Sequence, residues 1–337
     1  MCDIHNVFLN SNISANDLVI KLVSLIVSDE PEFLFRPFYK PITLSFFSLF
    51  GVLIIWVFEK RKISFEFFTK SFFVSFYNVV SVVFFNFALI YGQSDVLFIV
   101  RQQIQHVIPI FLQKSKIRGF QLFGISISVI GIIICLFSYN GSFWFLIIVA
   151  VSQALRIPQA KSELLLVEDH QVTPVYLMSS EAFIGILITT FIIFPIGYVI
   201  PGDEPSLFSG GSLENFFDSI SMIFQTPRII LGVLLVIFAS FIATLSLLIL
   251  ETDRRCITYI LSDLFGIFGG WFSLYILNKP EKRHSMIFPI LSCIFYALSY
   301  LIIQQFIRFK FFNYSEWMQL DQQETPMDIN VLEMEDD

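Results

Sequence analysis

The chain has 337 residues, of which 55% are hydrophobic and 15% charged, with a formal charge of −7 and a mean hydropathy of +0.74. That composition leaves no room for a sizeable soluble domain. The acidity sits in the tail: after Lys310 there is no Lys or Arg, while Glu316, Asp321, Glu324, Asp328, Glu333, Glu335, Asp336 and Asp337 follow. The rest is nearly neutral, so no nucleic-acid partner is expected, and 308–337 reads as a solvated, disordered acidic segment.

The segment 1–40 contains one apolar stretch, Asp17–Val27, which is too short for an ordinary span and includes Lys21. It lacks the basic start and small-residue cleavage site of a signal peptide. Nine mostly apolar runs follow, at roughly 42–59, 71–91, 94–113, 119–138, 143–166, 174–199, 229–250, 256–277 and 286–307. Each has about the 20 residues that a helix needs to cross ~30 Å of hydrocarbon. The chain therefore reads as an all-α polytopic membrane protein whose first partner is the lipid bilayer. Tight joints such as Tyr91–Gln93 and Asn140–Ser142 make neighbouring helices antiparallel.

Lys and Arg in the joints set the orientation. With a cytosolic C-terminus, Lys60, Arg61, Lys62, Lys70, Lys114, Lys116, Arg118, Arg254, Arg255, Arg308 and Lys310 are cytosolic. Arg228, Lys279, Lys282 and Arg283 lie opposite, a bias of eleven to four. The long loop 200–228 is then lumenal or external. Of three sequons, at Asn12, Asn140 and Asn313, only Asn12 is a plausible glycan site, since Asn313 is cytosolic and Asn140 hugs the membrane. Within the loop, Ser212 is expected to cap a short helix. Phe216, Phe217, Ile220 and Phe224 form its apolar face, and Glu214 and Asp218 lie on the wetter side, along the membrane surface.

Charges inside a span cost about 2.5–3.5 kcal/mol on insertion scales and so face protein or a water-filled path. In the third run Arg101 and Gln105 are one turn apart on one face, with Gln102 and His106 beside them. Arg101 is near mid-run, where a planar guanidinium suits a phosphate or carboxylate; a structural ion pair is the alternative. In the fifth run Gln153, Arg156, Gln159 and Glu163 fall on one stripe, with Pro158 loosening the backbone and Lys161 pointing elsewhere. Arg156 and Glu163 can join one polar network, and the stripe either lines a path or packs on another helix. Glu181 lies about two turns into the sixth run, where a buried pair with a cation is the main expectation and a proton-coupled role the lesser alternative. Asp263 is the single acid of the eighth run, near Gly266, Gly269 and Gly270.

Arg101 and Asp263 share a depth in the helix after a short turn in each half. This weak symmetry fits two inverted repeats of opposite orientation, 41–138 and 143–307, with an Arg101–Asp263 salt bridge near the midplane. The substrate-path candidates are thus Arg101, Gln102, Gln105, Arg156, Gln159, Glu163, Glu181 and Asp263. No nucleophile–base set or metal-ligand spacing is visible. The cysteines at 2, 135, 256 and 293 and the histidines at 5, 106, 170 and 284 are scattered. No cofactor is expected, and no phosphate-binding Gly-rich loop with Lys-Ser/Thr points to an ATP-driven pump.

Several stretches resemble the drug/metabolite transporter superfamily, and within it the nucleotide-sugar-transporter-like solute carrier family 35, subfamily F, member-six-like branch. They are Phe87-Ala-Leu89 leading to Arg101, Gln153-x5-Gln159-x3-Glu163, and His170-Gln-Val-Thr-Pro174 running to Glu181-Ala-Phe-Ile-Gly185. Gly211-Ser-Leu-Glu-Asn-Phe-Phe-Asp218, Asp263 and Trp271 complete them, over about residues 36–305. The resemblance implies ten helices in two inverted five-helix repeats, with a central cavity opening alternately to cytosol and lumen of an endomembrane such as Golgi or lysosome/vacuole. The chain departs from the pattern where the first helix is missing or reduced, and where Tyr259 and Gly266 stand at family-like Arg positions. The leading expectation is a secondary transporter of a small anionic metabolite, not an enzyme. The competing one is a non-transporting scaffold acting through its acidic tail, and a homodimer is left open.

Overall fold

The computed structural model describes residues 38, 40–58, 65–92, 94–105, 107, 108, 110, 117–170, 173–202, 204, 207, 210–253, 287–303 and 307. The segment with Asn12 and Asp17–Val27, His106, the eighth run with Tyr259, Asp263 and Gly266, and the acidic tail lie outside the described residues.

The described chain is helical, with no strand. α1 is Pro41–Leu53, continued by a 3₁₀ turn to Phe58; α2 is Phe65–Tyr91, α3 Ser94–Gln105, α4 Gly119–Leu136, α5 Phe143–Ala154 and α6 Arg156–His170. α7, Pro174–Ile188, runs through a π turn into α8, Phe194–Val199; α9 is Phe216–Gln225, α10 Pro227–Asp253 and α11 Ile287–Ile303. Among the described residues, five helical stretches are long and apolar enough to cross a membrane: Phe65–Tyr91, Gly119–Leu136, Phe143–Glu163, Val175–Val199 and Pro227–Ser246. Pro41–Val57 and Ile287–Ile303 are shorter apolar helices.

The helices are inside out relative to a water-soluble bundle. On α10, Leu231, Leu234, Leu235, Phe238 and Ile242 face outward at helical spacing, while Ser240 and Thr244 are buried with Val233 and Val236. On α4, Leu122, Ile130 and Ile133 are exposed and Gln121, Gly124, Ser128 and Gly131 are buried. A protein in water would pay heavily for such an apolar girdle; in lipid it costs nothing and only polar groups must turn inward. This is an integral membrane protein.

Small residues hold the helices together. Ser292 and Ser299 of α11 donate to the carbonyls of Gly131 and Gly124 on α4 at 2.8 and 2.7 Å. A Cβ at Gly124 would stand 2.5 Å from Ile303, and one at Gly131 2.6 Å from the Gln103 amide, so only glycine permits this approach. Gln103 of α3 donates to Ser292 Oγ at 2.5 Å, tying a third helix to the same seam. Cys135 and Cys293, both buried, join one core cluster beside it.

The fifth run is two helices rather than one. Pro158 has no N–H to offer the carbonyl of Ala154 and its ring crowds that turn, so the helix breaks at Leu155 between α5 and α6.

The long loop departs from expectation. α9 is capped by Asn215, whose Oδ1 accepts from the N–H of Phe217 at 3.0 Å and Asp218 at 3.5 Å. Ser212 lies too far back and is occupied in an antiparallel bridge with Glu204. Gly211 has φ +70°, and a Cβ there would strike the carbonyl of Gly202 across that bridge. The expected apolar face also splits. Ile223 is buried and Phe216 packs on Phe194 at 4.6 Å, while Phe217 and Phe224 point outward, the pattern of an interfacial helix. Glu214 is not on a wet side at all: it is fully buried.

Candidate functional site

Two groups of buried charges stand out, one at the end of α1 and one inside the bundle. α1 begins at Pro41 without a side-chain cap of its own. Its free N–H groups are met by Glu214, 172 residues further on: Ile42 N–H donates to Oε2 at 2.8 Å. Thr43 N–H and Thr43 Oγ1 donate to Oε1 at 2.7 and 2.5 Å. A carboxylate at a helix N-terminus is well placed for the helix dipole. Burial pushes the Glu214 carboxyl up to about 7, against the hydrogen bonds that lower it, with the nearby Glu204 charge adding to the rise. Beside it the buried Lys40 pairs with Glu204 at 2.6 Å and Asp218 at 2.9 Å. Among the described residues no buried side-chain atom of Lys40, Glu204, Glu214 or Asp218 lacks a partner, and the clasp docks the loop on α1. Sequence reasoning missed Lys40 and Glu204, because nothing local distinguishes a lysine that will be buried from one at a membrane edge.

Inside the bundle, α2 is the common wall. Ser81 and Ser152 of α5 exchange hydrogen bonds, each hydroxyl donating to the other's carbonyl at 2.8 and 2.9 Å. Arg156, the first residue after the break, donates from Nε to Ser81 Oγ at 3.0 Å. One turn along the same face of α2 is Phe85, and the Arg101 guanidinium carbon lies 3.8 Å from its ring centroid, a cation–π contact. Both arginines are buried, Arg101 to 1% exposure. Two guanidiniums thus address adjacent turns of one helix face, about 6 Å apart along its axis by helix rise.

Gln153, Gln159 and Glu163 are buried as the stripe requires, and Lys161 is exposed. Gln159 Nε2 donates to Glu163 Oε1 at 2.6 Å. Glu181 of α7 is buried too, and it interacts electrostatically with both Glu163 and Arg156. No direct ion pair joins Arg156 to either acid, and Ser81 is its hydrogen-bond partner. The buried atoms Arg156 Nη2, Gln153 Oε1, Gln159 Oε1 and Glu181 Oε1 have no partner among the described residues.

The sequence candidates are therefore sorted. Arg156, Gln159, Glu163 and Glu181 form one polar cluster, and Arg101 lies on Phe85, one turn along α2 from Ser81, with Gln102 and Gln105 buried on the same helix as Arg101. Asp263 and its expected bridge to Arg101 lie outside the described residues. Ser81 and Phe85 were not foreseen; an ordinary Ser and Phe in an apolar run carry no signal. A protein of this fold and site is a polytopic membrane protein with a charged interior. The sequence matches no protein-family model and no curated protein.

Proposed function

We propose that the protein is a secondary transporter that moves a small anionic metabolite, nucleotide-sugar-like in class, across an endomembrane by alternating access. One observation carries this reading: two buried guanidiniums lie on adjacent turns of one face of α2, inside helices whose outer surface is apolar. A buried cation with a partnerless N–H is a site for an anion, and phosphate or carboxylate matches its fork. The backbone break at Leu155, mid-run and beside Arg156, supports it, since discontinuous helices border substrate sites in transporters. In this reading the spans belong to two inverted five-helix repeats, and the C-terminus is cytosolic.

The test is uptake by proteoliposomes containing the full chain, against nucleotides, nucleotide sugars and small anions. Uptake of an anion that competes with its analogues, and that falls in Arg156→Gln and Arg101→Gln, supports the reading. Uptake of nothing in the panel, or uptake indifferent to both substitutions, overturns it.

A further inference from the structure

We propose that Ser81 is a positioning residue for the anion: by holding Nε of Arg156 it reserves the end-on edge of the guanidinium, Nη1 with Nη2, for a ligand oxyanion. This rests on the transporter reading and specifies how its substrate is gripped. A guanidinium carries its N–H groups in one plane, where they form two forks for paired oxygens. The side-on fork combines Nε with Nη2, and the end-on fork combines Nη1 with Nη2. Nε of Arg156 donates to Ser81 Oγ at 3.0 Å, so half of the side-on fork is taken. Nη2, which belongs to both forks, is buried without an acceptor. Among the described residues the bond to Ser81 is the guanidinium's only hydrogen bond. A ligand with two oxygens on one centre would have to displace Ser81 to bind side-on. End-on it displaces nothing.

The hydroxyl is itself fixed from both sides. A serine has one hydroxyl hydrogen, and Ser81 gives it to the Ser152 carbonyl at 2.8 Å, so Arg156 meets a lone pair. Ser152 returns the bond, donating from Oγ to the Ser81 carbonyl at 2.9 Å. Both serines are buried. Their reciprocal pair fastens α2 to the last turn of α5, immediately before the break at Leu155, and Arg156 is the first residue beyond it. A long side chain at the start of a new helix has many rotamers. Here its Nε is tied to the α2–α5 contact, so the fork keeps its direction relative to α2. Arg101 is held differently, by its face, on the Phe85 ring. Of the two guanidiniums, Arg156 is thus the one with an edge chosen for it. That edge suits a carboxylate or phosphate, whose paired oxygens match both Nη groups, better than a halide, which has one centre to offer.

The full chain, carrying isotope-labelled arginine, is placed in detergent micelles, and proton–nitrogen NMR spectra of the guanidinium groups are recorded. Arg156→Lys identifies the Arg156 signals by their disappearance. In the wild type, Arg156 Nε–H exchanges slowly with water. Orthophosphate and uridine monophosphate shift its Nη signals and leave Nε–H protected, while chloride at the same ionic strength does not shift them. Ser81→Ala exposes Nε–H to exchange and weakens binding of both oxyanions about tenfold. Ser81→Thr, which keeps the hydroxyl, retains protection and affinity. Ser152→Ala removes a bond from the same helix contact, so it lowers thermal stability, yet the Arg156 Nε–H signal stays protected. Ser81→Ala indistinguishable from wild type in protection and oxyanion affinity overturns the proposal. So does an oxyanion that strips Nε–H of its protection, or a chloride response equal to that of phosphate; these two are read on the wild type and need no variant to fold. Oxyanion shifts at Arg156 that ignore Ser81 leave the transporter reading standing without this proposal. If Arg156 answers neither oxyanion while its Nε–H stays protected, the anion site fails, and both readings fall.

Discussion

The clasp on α1 and the cluster beside α2 both bury charged side chains, and they treat them in opposite ways. Glu214 accepts three hydrogen bonds, and Lys40 bridges two carboxylates. Arg156 and Glu181 are buried too, yet each keeps a polar atom without a partner among the described residues. Fully satisfied burial stabilises a fold, whereas incompletely satisfied burial costs about 1–3 kcal/mol per group and persists where something else selects for it. Among the described residues, the clasp is thus the fully satisfied of the two and the cluster the incompletely satisfied one.

On the proposed transporter reading, the largest expected effect is on uptake. Arg156→Lys keeps the charge but loses the Nε bond to Ser81 and the planar fork, so the uptake rate falls by about 100-fold, equivalent to about 3 kcal/mol. Thermal unfolding in detergent then contrasts the two regions by sign. Glu214→Ala strands the N–H groups of Ile42 and Thr43 and costs about 3 kcal/mol, while Glu181→Gln leaves stability unchanged or higher. Equal losses in both variants break the comparison.

The third expectation is a pH dependence confined to the clasp. Glu214 titrates near 7 when folded, above an ordinary Glu, so the folded state holds the proton more tightly. Its stabilising effect is complete below about pH 4.5, declines as pH rises, and is gone above about pH 7, a change of about 3 kcal/mol. Hydrogen exchange over residues 204–218 is expected to quicken across that interval, and Glu214→Gln to flatten the profile. Next in size is Gly131→Val, which drives a side chain into the Gln103 amide and Phe295, and lowers stability by about 1–3 kcal/mol. The smallest is Asn215→Ala at the start of α9, at about 1 kcal/mol, read by the same unfolding curves.

Much of the fold was legible because it is local. A run of 20 apolar residues crosses a bilayer whatever surrounds it, and eight of the nine runs fall partly or wholly on described helices. The stripe of Gln153, Arg156, Gln159 and Glu163 was equally readable, since helical spacing alone puts four polar groups on one face and lipid excludes them from the other. Pro158 announced a weak point, although not that α5 and α6 would part at Leu155.

What the sequence determined by itself, then, is a helical membrane protein with a charged stripe that must face inward. Only the tertiary structure decided what that stripe faces, that Arg101 lies on Phe85 one turn from the serine that holds Arg156, and that Glu181 approaches from another helix. It also decided that Glu214, expected in water, caps a helix 172 residues away. The physical reason is the same in each case. Periodicity tells a side chain which way to point, but its partner, and hence whether its buried charge is satisfied, is set by helices that meet only after the chain has folded.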